Sequence, residues 1–164
     1  MRPSSRFSFG FSMLELMVVL AIIAFLASIA VPNYFKYLAK AKQAEVALNL
    51  TSLHAAMQSH WAEAGSYSAT LTGESSIGWQ PGGYKKNGQN SFYYTYGFNI
   101  PGAQEGVHYF TGKLKTPSAH LRDTFAKQGS FVAAAVGTIA GSDRVDIWSI
   151  DENRNLVHVQ DGVD

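Results

Sequence analysis

Residues 11–31 read FSMLELMVVLAIIAFLASIAV; they carry one charge, Glu15, and the only other polar side chains are Ser12 and Ser28. At about 1.5 Å per helical residue this stretch spans roughly 32 Å, enough to cross a hydrocarbon core about 30 Å thick. A core helix of that length ordinarily shows a polar face, and this one has none. The stretch predicts a membrane-spanning helix. Upstream, Arg2, Arg6 and the amino terminus make residues 1–10 basic. A basic segment before an apolar run also describes a secretory signal peptide, with Ser28 and Ala30 as small residues before a cut. The run is longer than the usual signal core of about 7–15 residues, however, and a carboxylate stands near its start. Lys36, Lys40 and Lys42 follow it and balance the leader, so flanking charge sets no orientation.

Glu15 needs a partner. An ionised side chain at the centre of a span costs about 2.5–3.5 kcal/mol on insertion scales, and less near an end. No lysine or arginine lies within the next helical turn. Were the chain cut after Gly10, Phe11 would carry a new α-amino group four residues before Glu15, at the same membrane depth. Pro32 lacks an amide hydrogen and clashes with the preceding turn. It therefore either ends the span or kinks a helix that continues, and the residues beyond it keep a helical pattern.

The run from Gly10 and Phe11 through Glu15 to Ile23, with Ala30-Val31-Pro32-Asn33-Tyr34 beyond it, resembles the prepilin signature of type IV pilins and type II secretion pseudopilins. The resemblance covers residues 6–40, with glycine, aromatic, carboxylate and proline at the family spacing. It implies cleavage after Gly10 by a prepilin peptidase and N-methylation of the new Phe11 amine. It assigns Glu15 to pairing with the amino terminus of an adjacent subunit, and Pro32 to a helix kink. It further implies a bacterial inner-membrane precursor that becomes an extracellular filament of identical subunits. The implied partners are an assembly platform, minor pilins and further copies of the chain.

Beyond the span, residues 36–64 hold no Gly or Pro and are rich in good helix formers. Val46, Leu50, Leu53, Met57 and Trp61 recur at steps of four and three, which predicts an apolar stripe packed on a sheet. Gly65 supplies a stop. Residues 65–90, with Pro81-Gly82-Gly83 and several further glycines, predict an irregular, exposed connection. From Ser91 the period changes to two, and Phe92, Tyr94, Tyr96 and Phe98 form one aromatic face of a strand. Residues 107–111 predict a second strand. Thr116 and Pro117 open a short helix, as cap and first position, with Leu121 and Phe125 inward and Gly129 at its end. Residues 130–139, 145–150 and 156–159 predict three more strands, turning at Gly141-Ser142-Asp143 and at residues 151–155. The last strands also resemble those of pilins. Many pilins close the last loop with a disulfide, whereas this chain, lacking cysteine, must hold its C-terminal region by packing alone.

Composition narrows function further. A formal net charge of +1 with 15% charged residues gives no bulk charge for nucleic-acid binding. The absence of cysteine excludes thiolate metal sites and cysteine nucleophiles. No P-loop, nucleophile elbow or dinucleotide fingerprint occurs, so no enzymatic activity is expected. His54 and His60 lie about 240° apart around a helix and cannot share a metal from one face, while His108, His120 and His158 are isolated. Asp151, Asn153 and Asn155 begin like a calcium loop, but Leu156 stands where the glycine belongs and Gly162 where the glutamate belongs. A β-turn is the simpler account, and no cofactor is expected.

The expected protein is α+β: a leader at 1–10, a transmembrane or filament-core helix at 11–35, and a head at 36–164. In the head, the half-helix 36–64, an exposed loop 65–90 and an antiparallel sheet at 91–164 follow in order. The expected function is that of a type IV pilus subunit, serving adhesion, twitching motility or DNA uptake. Two alternatives stand beside it: a pseudopilin, and a soluble exported binding domain released by a cut near Val31.

Overall fold

The computed structural model describes residues 10–139 and 144–163. Residues 1–9 of the expected leader (1–10) and the Gly141-Ser142-Asp143 turn lie outside the described residues. The elements are one helix, α1 (Met13–Ala64), and six strands: β1 (Thr95–Gly97), β2 (Tyr109–Phe110), β3 (Phe125–Ala126), β4 (Phe131–Gly137), β5 (Asp146–Asp151) and β6 (Leu156–Gln160). The chain divides into two units, Met1–Lys36 and Tyr37–Asp164.

In the first unit the described residues are helical from Met13 and exposed throughout. Ser12 caps the helix, its Oγ accepting from the Glu15 N–H at 3.1 Å and its carbonyl from the Leu16 N–H at 3.2 Å. The Ser-x-x-Glu spacing is that of a capping box, a local signal the apolar composition had overshadowed. The helix does not end at Pro32. It ends before Gly65, whose φ of +71° and N–H bond to the Trp61 carbonyl (2.8 Å) make a left-handed cap.

In the second unit the sheet runs β2-β1-β4-β5-β6, with β3 also on β4, and every pairing between strands is antiparallel. Val46, Leu50, Leu53 and Met57 are fully buried in one cluster with Phe92, Tyr94, Tyr96, Phe98 and Phe131. Trp61, expected to complete the stripe, is 45% exposed and instead stacks on Tyr67 at 6.2 Å, because the helix overruns the core there. Ala133 and Ala135 of the central strand face this core, and their small side chains leave room for the aromatic rings. Ala134, Val136 and Ile147 face the other way, where Leu121 covers them. Gly97 has φ +129°, and a Cβ there would strike the His108 carbonyl, so only glycine lets β1 approach that backbone.

Several expected elements are corrected. The strand expected at 92–98 shrinks to Thr95–Gly97, although its aromatic alternation is fully buried. The Tyr93 N–H is drawn to the Glu45 carboxylate (3.0 and 3.2 Å), and the Phe92 and Tyr93 carbonyls bond Lys113 and Leu114 outside any regular ladder. The strand expected at 107–111 is likewise reduced to Tyr109–Phe110. The helix expected from Thr116 is a single 3₁₀ turn, Ser118–His120. Thr116 Oγ1 accepts from the Thr138 N–H at 3.1 Å instead of capping, and Phe125 is a strand residue. The connection at 65–90 is irregular but not uniformly exposed. Leu71 and Trp79 are buried, Trp79 Nε1 donates to Ser52 Oγ (2.9 Å), and the Gly82 N–H donates to Asn49 Oδ1 (2.8 Å). Helix side chains thus satisfy loop groups that no strand partner reaches.

Because the second unit holds its own buried core, a chain beginning at Lys36 is expected to be soluble and folded. Circular dichroism checks this: a disordered or aggregated product would show that the head needs the stem to fold.

Candidate assembly site and the buried carboxylate of the head

The stem meets the criteria for a membrane-crossing helix by length and composition. Its apolar side chains are bare all round: Phe11 is 75% exposed, Met13 80% and Phe25 68%. An apolar surface of this extent marks a segment that ends up in lipid or against other protein. Among its described residues Glu15 is the sole charge before Lys36. The carboxylate stands in the first helical turn, where the partial positive charge of the free N–H groups favours an anion. Phe11, expected to become the amino-terminal residue, precedes the helix by one capping residue, so Gly10, Phe11 and Glu15 lie at one helix end. Pro32 lies within α1.

The head holds a site that the sequence did not reveal. Asp146 is fully buried at the start of β5 and accepts five hydrogen bonds. Its Oδ1 takes Gln43 Nε2 (3.0 Å), His158 Nε2 (2.8 Å) and the Gly162 N–H (2.9 Å). Its Oδ2 takes Tyr94 Oη (2.6 Å) and Trp148 Nε1 (2.8 Å). Burial alone, the largest single influence, would push this carboxyl up; Tyr94, Gly162, His158 and Trp148 together outweigh it and hold the group below the ordinary carboxylate range. Burial and the adjacent carboxylate push the Tyr94 hydroxyl far up, so it stays a donor. Tyr96 is raised in the same way, by burial and by Glu45, to whose Oε1 its hydroxyl donates at 2.8 Å.

Two expectations are corrected here. His158 is not isolated, since it bonds Asp146 and stacks on Trp148 at 3.8 Å and 10°. The C-terminal region is not held by packing alone, because Asp146 ties the Gly162 backbone to the helix through Gln43. Asp146 and Trp148 sit two apart on a strand and so share a face, a local hint; Gln43, Tyr94, His158 and Gly162 are remote in sequence and gave none.

Asp146, His158 and Asp161 bring ligand atoms within 4.8 Å of one another, but the Gln43 amide already lies between the two carboxylates, donating at 3.0 and 3.1 Å. The arrangement is a filled hydrogen-bond centre. Asp151, Asn153 and Asn155, the weak calcium candidates, form the β5–β6 turn. Asp151 Oδ1 accepts from the Asn153 N–H (3.0 Å) and the Asn155 N–H (2.8 Å), and Arg154 takes φ +61°. His54 Nε2 and Gln58 Nε2 both reach the Glu152 carbonyl, at 3.1 and 2.9 Å, and fasten this turn to the helix.

Comparison with known proteins agrees with the stem. The profile of the prokaryotic N-terminal methylation motif matches residues 6–31. Over 59 residues the chain is 48% identical to the type IV major pilin protein PilA of Myxococcus xanthus (strain DK1622). The matched stretch is 36% of this chain and spans 27% of that relative's length.

Proposed function

We propose that this chain, a member of the type IV pilin family by its N-terminal methylation motif, is a pilus subunit that polymerises through its stem. The observation that carries the proposal is the bare apolar helix bearing one carboxylate at its capped amino end. A prepilin peptidase cuts after Gly10, and the Phe11 amine becomes the N-methylated terminus. Before assembly the stem lies in the inner membrane; in the filament, neighbouring stems replace lipid around it. Transfer from lipid to protein changes little for apolar side chains but much for Glu15, which gains the amine of an adjacent copy as its counter-charge. The platform and minor pilins start this exchange, and the heads face outward, giving a surface filament for adhesion, twitching motility or DNA uptake.

Gly10→Val tests the processing step. A branched side chain at the residue before the cut is expected to block cleavage and leave full-length precursor in the membrane. Intact-mass spectrometry reads the result; mature-length protein starting at methylated Phe11 in that variant would place the cut elsewhere.

A further inference from the structure

Four of the eight lysines of the chain, Lys85, Lys86, Lys113 and Lys115, line two adjoining depressions in the head. The larger has a volume of about 570 Å³, and the two share Gly88, Asn90, Glu105 and Thr111 as common lining. They form one groove between the 84–90 loop and the 111–115 segment. Asn90 ties its walls together, accepting from the Lys85 N–H at 3.0 Å and donating to the Thr111 carbonyl at 3.2 Å. Gly112 seats the second wall, since a Cβ there would strike the Tyr93 and Tyr94 backbone. Lys115 is held at φ +51°. At the same edge Lys113 and Lys42 both lie over the Tyr93 ring, at 5.3 and 5.4 Å.

All four groove lysines are exposed, and none makes an ion pair among the described residues. A chain of net charge +1 thus concentrates unpaired positive charge in one concave strip. Concave charge of one sign focuses potential and recruits polyanions. The groove's other chemistry selects among them. Its cations are lysines, point charges that pair with a single carboxylate oxygen as readily as with a phosphate oxygen. Its aromatic residues offer no free ring for base stacking, because Phe110 is buried and Tyr84 packs edge-on against it at 4.9 Å. Glu105 stands within the groove and makes no ion pair among the described residues. Its carboxylate repels any polyanion, but it also accepts bonds from sugar hydroxyl groups, as the Thr111 hydroxyl can, and duplex DNA has no backbone hydroxyls to offer in return.

We infer that this groove binds an anionic polysaccharide, with the lysines on carboxylate groups and Glu105 and Thr111 on sugar hydroxyls. The inference goes beyond polymerisation and does not depend on it. The test uses the full-length chain in detergent with fluorescent polygalacturonate as probe, and dextran, polyglutamate and duplex DNA as comparators. Polygalacturonate is expected to bind most tightly, and to release as salt rises through the range that screens exposed charge. Lys113→Ala with Lys115→Ala should weaken binding about tenfold, as two lost exposed ion pairs allow, and Lys85→Ala with Lys86→Ala should do the same. The corresponding Lys→Arg pairs should retain binding. Glu105→Gln should narrow the gap between duplex DNA and polygalacturonate. Equal binding of dextran, tighter binding of polyglutamate or DNA by the unmodified chain, or indifference to both lysine pairs would overturn the inference. Each of these outcomes is separable from any failure to form filaments.

Discussion

Cells carrying Glu15→Ala as their sole copy are expected to accumulate processed, folded subunit in the membrane and to produce almost no filaments. A charge left alone in an apolar environment costs about 3 kcal/mol or more, because nothing repays its desolvation. In the variant the Phe11 amine of a neighbouring copy is the group left alone. A deficit of that size lowers the equilibrium for adding each subunit by about a hundredfold. Glu15→Gln separates charge from capping. Glutamine at the third helical position can close a capping box as glutamate does, so the helix start survives while the counter-charge is lost. Failure of both variants therefore identifies the charge as the requirement. Filaments from Glu15→Gln but not Glu15→Ala would assign the residue to the cap. Abundant filaments from both would mean that stem packing alone sets the register. Electron microscopy of sheared material, with immunoblots for processed subunit in the membrane, reads all three outcomes.

Asp146→Ala is expected to destabilise the head by about 3 kcal/mol or more. Tyr94, Trp148, His158, Gln43 and the Gly162 N–H would lose their common acceptor, and each buried donor left unmade costs about 1–3 kcal/mol before relaxation. For a unit of this size the melting temperature should fall by roughly 10 °C. The same carboxylate predicts a pH dependence. Its native pKa is depressed below the unfolded value of about 3.9, so its contribution is complete above that pH. As pH falls through the lower native value the carboxylate protonates and the contribution disappears. Wild-type stability should therefore decline more steeply below about pH 4 than that of Asp146→Asn, which has no such group to protonate. Thermal melts followed by circular dichroism at several pH values measure both effects. Parallel pH profiles for the two proteins would show that Asp146 is not the group responsible.

The sequence alone determined the features whose causes are local. An apolar run whose only charge is Glu15 near its start specifies a stem, because its length and lack of a polar face leave lipid or protein as its only stable surroundings. The Ser12 cap and the Gly65 stop are likewise set by neighbours three or four residues away. The stripe through Val46, Leu50, Leu53 and Met57 and the strand period after Ser91 fixed which faces would be buried. Tertiary structure decided what depends on groups far apart in the chain. Glu45 drew the Tyr93 N–H out of the expected strand, and Asn49 and Ser52 pulled the loop at 65–90 onto the helix. Asp146 looked like one more polar residue at the start of a strand until folding surrounded it with five donors. The lysine groove arose only when two separate segments were brought side by side. Hydrophobic periodicity repeats along the chain and can be read from it, whereas a hydrogen bond or a charged cleft belongs to particular pairs of residues that only the completed fold brings together.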